Sequence, residues 1–234
     1  MNHITNKASL SQIAPTEPVQ AIGDLRAIAS NNLNNQVEFR SLTQKRHLYG
    51  LGMPLGLNAE ILVLDGKAYL GQFKSLAYEV KELDDFDISF LVYAYVPSWT
   101  KMEIPNTVQT FTDLEQYIPK AAANQKIETS RPFLFRLEGE VSALDWFVVS
   151  GMGNGVPNHL GSFLRSRYLG GLDDRKIEAL GFYSPSHRGV LTNPNSNMHI
   201  HFRTTDEKIF VGHINDSVII KPGSYLLLPN QIAN

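Results

Sequence analysis

Three histidines within 15 residues carry the sharpest chemistry in the chain, in Met198-His199-Ile200-His201-Phe202 and Val211-Gly212-His213-Ile214. In a strand, residues i and i+2 share a face, so His199 and His201 project together while Ile200 turns towards a core. Thr204-Thr205-Asp206-Glu207 reads as a turn, after which Ile209 to Ile214 folds back antiparallel and returns His213 to the first pair. Three imidazoles from two neighbouring strands form a facial ligand set for a divalent metal. Open positions remain for water or substrate, which is the catalytic rather than the closed structural arrangement. Zinc is the default, and imidazole also suits iron, copper, nickel and cobalt. Such an ion polarises a carbonyl or lowers the pKa of a bound water. A lone His-x-His pair is more often just two polar strand residues; the third His on the returning strand favours the metal.

Composition narrows the options. The chain has 234 residues, 21 Lys and Arg against 23 Asp and Glu, a net charge of -2, and no Cys. Disulfides, iron–sulfur ligation, a Cys nucleophile and thiolate zinc are excluded, so any metal must be held by His, Asp or Glu. The near-neutral charge speaks against a nucleic-acid partner. No apolar run approaches the roughly 18 residues of a membrane span. The first 20 residues lack the apolar core of a secretory signal, so no membrane association and a cytoplasmic location are expected.

The elements that must position the histidines read as strands. With 19% charged residues, 17 Gly and 12 Pro, the composition leans towards a turn-rich β protein. Residues 1–34 read as a loose arm, with a short helix from Ala21 to Asn31. Residues 35–130 read as one β-rich half and residues 131–234 as a second, carrying the metal site. In the first half, Val37 to Ser41 alternates as a strand. Glu60 to Leu64 and Ala68 to Leu70 flank Asp65-Gly66, a hairpin signal. Leu76 to Val80 and Asp87 to Val96 are further strands. Thr112-x-x-Glu115 is a capping box opening a helix that Pro119 is expected to cut or kink.

In the second half, Pro132 to Leu137, Trp146 to Val149 and Leu180 to Tyr183 are strands. Asn158 to Leu169 is expected to be helical. Gly151 to Gly155 lacks the context of a dinucleotide loop, and Ser184 with His187 reads as a turn rather than a nucleophile pair. The helices do not alternate with the strands, so the fold class is α+β, mainly β: two packed β-rich halves with a few short helices.

With the three-His motif, Gly50-Leu51-Gly52 followed by Leu57-Asn58-Ala59-Glu60-Ile61-Leu62-Val63-Leu64-Asp65-Gly66-Lys67-Ala68-Tyr69 resembles the N-terminal signature of the α-acetolactate decarboxylases. Pro132 to Gly139, Gly181-Phe182-Tyr183-Ser184-Pro185 and His199-Ile200-His201-Phe202 with Gly212-His213 are similar to later segments of that family, in the same order over roughly residues 37 to 229. The resemblance implies a zinc-dependent carboxy-lyase. Zinc on His199, His201 and His213 would chelate a 2-hydroxy-3-oxo acid and stabilise the enolate charge left by loss of CO₂. It implies that Glu60 is the acid/base. The family's habit, with the frequency of two-fold dimers, implies a homodimer.

The departures from that pattern concern charge. A threonine of the family is Met53 here. Its arginine falls on Phe147, and no acid follows Leu228-Pro229. Met53 and Phe147 are therefore expected to line a more apolar pocket, for a keto or hydroxy-keto acid that is larger or less anionic than acetolactate. Arg165, Arg167 and His159 are read as a solvated helix face, with replacement of the missing cation as the alternative. Two other functions stay open. One is a metal–enolate enzyme that loses no CO₂ (isomerase, dehydratase, aldol-type or cyclase) in secondary metabolism. The other is a non-catalytic metal- or ligand-binding homologue.

Overall fold

The computed structural model describes residues 16–23, 25, 37–42, 45–74, 77–150 and 167–230. Among them are thirteen strands and one α-helix longer than a turn. The first sheet holds β1 (Gln20–Ile22), β2 (Val37–Glu38), β3 (Leu48–Pro54), β4 (Ala59–Leu64), β5 (Lys67–Lys74), β6 (Ala77–Leu83) and β7 (Asp87–Tyr95). Its order is β1-β7-β3-β4-β5-β6, with β2 also on β7. The hairpin expected at Asp65-Gly66 joins β4 to β5. Both turn residues have positive φ, 47° and 81°, the two-residue turn that suits the twist of a hairpin.

The second sheet holds β8 (Trp99–Glu103), β9 (Phe133–Val149), β10 (Arg167–Tyr183), β11 (Met198–Thr204), β12 (Val211–Ile220) and β13 (Tyr225–Pro229). Its order is β10-β11-β12-β9-β13-β8. Strand β9 pairs with β10 along its whole length as well as with β12, so β9, β10, β11 and β12 close on one another. The two segments expected at Pro132 to Leu137 and Trp146 to Val149 are thus one continuous strand. No described helix is long and apolar enough to cross a membrane.

Three local expectations are corrected. Ala21 and Ile22 lie in β1, paired with Val92 and Leu91, although Leu25 is helical; the rest of the expected helix lies outside the described residues. Phe39 to Ser41 leaves the strand as a 3-10 turn, because Phe39 drops into the core beside Phe86. The helix Phe111–Asn124 is capped by Thr110 with Asp113, two residues before the expected box, and it continues through Pro119. Thr110 Oγ1 accepts from the Asp113 N–H at 3.2 Å and the Asp113 carboxylate accepts from the Thr110 N–H at 3.0 Å. That start turns Phe111, Leu114, Ile118, Ala121 and Ala122 inwards.

Each sheet is covered on both faces. Between the sheets lie Leu51, Met53, Leu62, Phe90 and Val92 from the first, and Phe147, Val149, Leu180, Phe182 and Val211 from the second. The helix shares a second core cluster, on the other side of the second sheet, with Phe135, Trp146, Ile200 and Phe202. One polar clasp ties the layers: Tyr78 Oη accepts from the Val211 N–H at 2.7 Å and donates to the Val211 carbonyl at 2.6 Å. Gly71 on β5 permits that approach, since a Cβ there would collide with the Val211 carbonyl.

Candidate metal centre

The alternation expected for Met198 to Phe202 is present. His199 and His201 leave β11 on one face, with Ile200 and Phe202 in the opposite core. His213 on β12 stands directly across from His201 in the register. The ring centroids lie 4.9 Å (His199–His201), 4.6 Å (His199–His213) and 5.2 Å (His201–His213) apart. One ligand atom from each falls within 4.8 Å of the others, and all three residues are buried.

The hydrogen bonds fix the tautomers. His201 Nδ1 donates to the Ile61 carbonyl at 2.7 Å, and His199 Nδ1 donates to the Leu191 carbonyl at 3.1 Å. The remaining Nε2 atoms then carry lone pairs, and these face each other at 3.0 Å. Two lone pairs at that distance repel unless a cation draws them together. Carbonyls that anchor Nδ1 and leave Nε2 bare are the usual outer support of a metal-ligating histidine. The donor set therefore fits a divalent ion.

Electrostatics agree. Burial holds His199 down to about 4, and holds His201 and His213 well below the ordinary imidazole value; neighbouring imidazoles depress the latter two further. All three rings are thus neutral near pH 7, the form that binds metal.

Glu60 enters from β4 across the inter-sheet layer. It is 2% exposed, and its Oε2 lies 3.3 Å from His201 Nε2. Its Oε1 accepts from the Val149 N–H at 3.3 Å. Burial pushes this carboxyl well above the usual range, opposed by the Val149 bond and by the charge of Arg167. β4 serves the site twice, since Ile61 next to Glu60 supplies the carbonyl that orients His201.

The two expected lining residues are placed differently. Phe147 stacks on His213 with centroids 4.2 Å apart and planes 23° apart. Met53 lies in the same inter-sheet cluster, opposite Phe90 in the β3–β7 register. Phe90 itself lies parallel to His199 at 5.9 Å and was not foreseen from the sequence.

Asn193 was also missed. Its Nδ2 donates to His213 Nε2 at 3.2 Å, so a neutral amide reaches the ligand face of the cluster. It comes from the loop between β10 and β11. Glu115 of the helix holds that loop by accepting from Ser196 Oγ at 2.9 Å and the Asn197 N–H at 2.6 Å. The run Thr192-Asn193-Pro194-Asn195-Ser196-Asn197, a dense turn signal just before the ligand strand, was the available clue. Ser184 and His187, hydrogen-bonded at 2.7 Å, close the same loop as expected of a turn.

The solvated helix face fails at Arg167. This residue opens β10 opposite Val149, and its guanidinium carbon sits 4.6 Å from the Phe147 ring centroid. The expected helix from Asn158 ignored pairing with β9, which makes Arg167 to Leu169 a strand. Arg165 and His159 lie outside the described residues.

Comparison with known proteins agrees with this architecture. A family profile described as Alpha-acetolactate decarboxylase matches residues 20–225. Alpha-acetolactate decarboxylase from Bacillus subtilis strain 168 has a similar structure, with a TM-score of 0.71 and 14% identity over 93% of this chain and 87% of that one. So does a Staphylococcus aureus protein of unknown function similar to alpha-acetolactate decarboxylase, with a TM-score of 0.70 and 17% identity over 90% and 84%. At these identities the likeness shows the fold. No curated protein sequence matches the chain.

Proposed function

Because the chain belongs to the alpha-acetolactate decarboxylase family, we propose that it is a metal-dependent carboxy-lyase acting on a keto or hydroxy-keto acid larger than acetolactate. The observation that carries this reading is the bare, mutually facing Nε2 pair of His199 and His201, with His213 and Glu60 beside it. His199, His201 and His213 would hold the ion, with zinc the first candidate for an all-imidazole set. A divalent ion held by them would supply positive charge to stabilise negative charge developing on a substrate oxygen.

The protein's own residues do the rest. Phe90, Phe147 and Met53 keep water out and give the substrate apolar walls. The substrate carboxylate leaves as CO₂, and the electron pair of the broken carbon–carbon bond stays on the neighbouring carbon. Glu60 delivers the proton that fills it. Its Oε1 accepts from the Val149 N–H, so Oε2, 3.3 Å from His201 Nε2, is the oxygen on the histidine side that exchanges that proton. Burial favours the protonated form, and Glu60 regains its proton from solvent once the product has left. Asn193 donates a hydrogen bond at the same face. Phe147, an aromatic wall against a ligand ring, supports a substrate with more apolar bulk than acetolactate.

Metal analysis of the purified and reloaded protein, with CO₂ release measured on a panel of β-keto and 2-hydroxy-3-oxo acids, tests the proposal. One metal per chain and release from at least one acid are expected. A protein that takes up no metal, or releases no CO₂ from any of them, overturns it. Glu60→Gln should lower turnover at least a hundredfold with metal content unchanged, in line with the loss of a general acid/base; a fully active variant removes Glu60 from the chemistry.

A further inference from the structure

The candidate site combines neutral imidazoles, a buried carboxyl and apolar walls, and one cation bears on it. Among the described residues, Arg167 is the cation whose charge acts on both Glu60 and His213. The register explains how. Arg167 pairs with Val149, the residue whose N–H holds Glu60 Oε1. Cross-strand partners and alternate residues share a face, so Arg167, Val149 and Phe147 point the same way. In the strand order β12-β9-β10, Phe147 stands between His213 and Arg167. Its ring stacks on His213 at 4.2 Å and lies 4.6 Å from the Arg167 guanidinium carbon.

Resting on the carboxy-lyase reading above, we propose that Arg167 binds the substrate's carboxylate, so that the substrate enters as an anionic acid with its carbonyl towards the three histidines and its carboxylate towards β10. The Arg167 guanidinium lies over the Phe147 ring and carries its N–H donors in a planar fork. Those donors match two carboxylate oxygens at once. The half-buried position beside an apolar wall strengthens the attraction by removing competing water. Release of CO₂ then removes the charge that Arg167 holds, so the neutral product is held less tightly than the substrate. Arg167 is in this sense a substrate-binding and specificity residue. It contributes to affinity rather than to the bond-breaking step, because the charge it holds disappears as the bond breaks.

The test titrates metal-loaded wild type, Arg167→Met and Arg167→Lys with 2-hydroxyisobutyrate and with its neutral amide, following tryptophan fluorescence. Arg167→Met should weaken the acid at least fivefold and the amide less than twofold, with metal content unchanged. Arg167→Lys should keep part of the acid affinity, since charge is retained and the planar fork is lost. A smaller loss for the acid, or an equal loss for both ligands, overturns the assignment. If Arg167→Met does not fold, full acid affinity in Arg167→Lys overturns it and a partial loss confined to the acid supports it. The two readings separate cleanly. CO₂ release with acid binding indifferent to residue 167 defeats only the anion site. Acid binding that depends on Arg167 in a protein releasing no CO₂ defeats only the lyase reading.

Discussion

The same face of the same strands carries two polar clusters built on opposite principles. His199 and His201 share a face of β11 with Arg203, two residues further on. At the His201 end, Glu60 of β4 covers the face and the groups are buried and neutral. At the Arg203 end, Glu178 of β10 accepts from Arg203 Nε at 3.0 Å and also receives Arg136 of β9, which in turn donates to Glu138 at 2.8 Å. Those side chains are 12 to 30% exposed. Aromatic rings pave this end too: the Arg203 guanidinium lies 4.5 Å from the Tyr69 centroid, and that of Arg136 5.6 Å from the Tyr49 centroid. Where water reaches, opposite charges are matched and satisfied, which is a structural arrangement. Where it does not, the Nε2 atoms of His199 and His201 face each other beside His213, an arrangement that could hold a metal ion. Lone pairs that converge without a donor between them gain nothing for folding and fit a cation.

Removing a member of the buried cluster should therefore cost function most. His201→Ala deletes a ligand atom and frees the Ile61 carbonyl, in a side chain that is fully buried. Bound metal should fall below one half per chain and CO₂ release at least a hundredfold, as elemental analysis and turnover would show. A variant with wild-type metal content would detach His201 from the metal reading.

Acidification should strike the buried cluster next. The three imidazoles have folded-state values depressed by burial, His199 to about 4. Between pH 6.5 and 4 the unfolded chain binds more protons at these residues than the folded one, so their contribution to stability falls as pH falls. Glu60, raised by burial, works the other way, and one carboxyl opposes three rings. The metal-free protein should thus lose thermal stability progressively below pH 6.5. Glu60→Gln should steepen that loss, and a flat melting profile from pH 7 to 4.5 would contradict the buried, neutral reading.

How much of this was legible depended on range. The His pair and the Asp65-Gly66 hairpin rest on local periodicity and turn chemistry, and both stand as expected. The mainly β class followed from composition and strand spacing. Arg167 was misread because β10 contains Gly170-Gly171 and Asp173-Asp174, which by local preference break structure. Only the long register with β9 makes it a 17-residue strand, and that pairing is not local information. Phe90 reaches His199 from the other sheet, so nothing in its sequence neighbours marks it, and Asn193 is marked only by the turn-rich run around it. The capping box was displaced because Thr110 and Thr112 both precede an acid by three residues. Packing of Phe111 and Leu114 chose between them and released Glu115 to hold the Ser196 loop.

The paired cluster yields the smaller effects. Glu178→Gln removes the negative charge shared by Arg136 and Arg203 and one of its two acceptor oxygens, and should cost about 2 kcal/mol of stability, the scale of a lost charge-assisted hydrogen bond at a partly buried site. Turnover per metal-loaded chain should stay within twofold of wild type, since this end of the face takes no part in the chemistry; a hundredfold loss would merge the two clusters into one site.

Lys101→Ala is the mildest cut. Lys101 Nζ lies 2.7 Å from Glu138 and 4.2 Å from the Tyr225 ring centroid, but its side chain is 48% exposed. Water and salt screen a pair of that kind, and such pairs contribute about 0.2–1 kcal/mol. A denaturant midpoint shifted by no more than that is expected, and the shift should shrink further in high salt. Glu138 keeps Arg136 as its other partner after the change, so no carboxylate is stranded. A loss of 3 kcal/mol or more would mean that this edge behaves as a buried pair, and the contrast between a wet, compensated end and a dry, converging one would then have to be redrawn from β13 inwards.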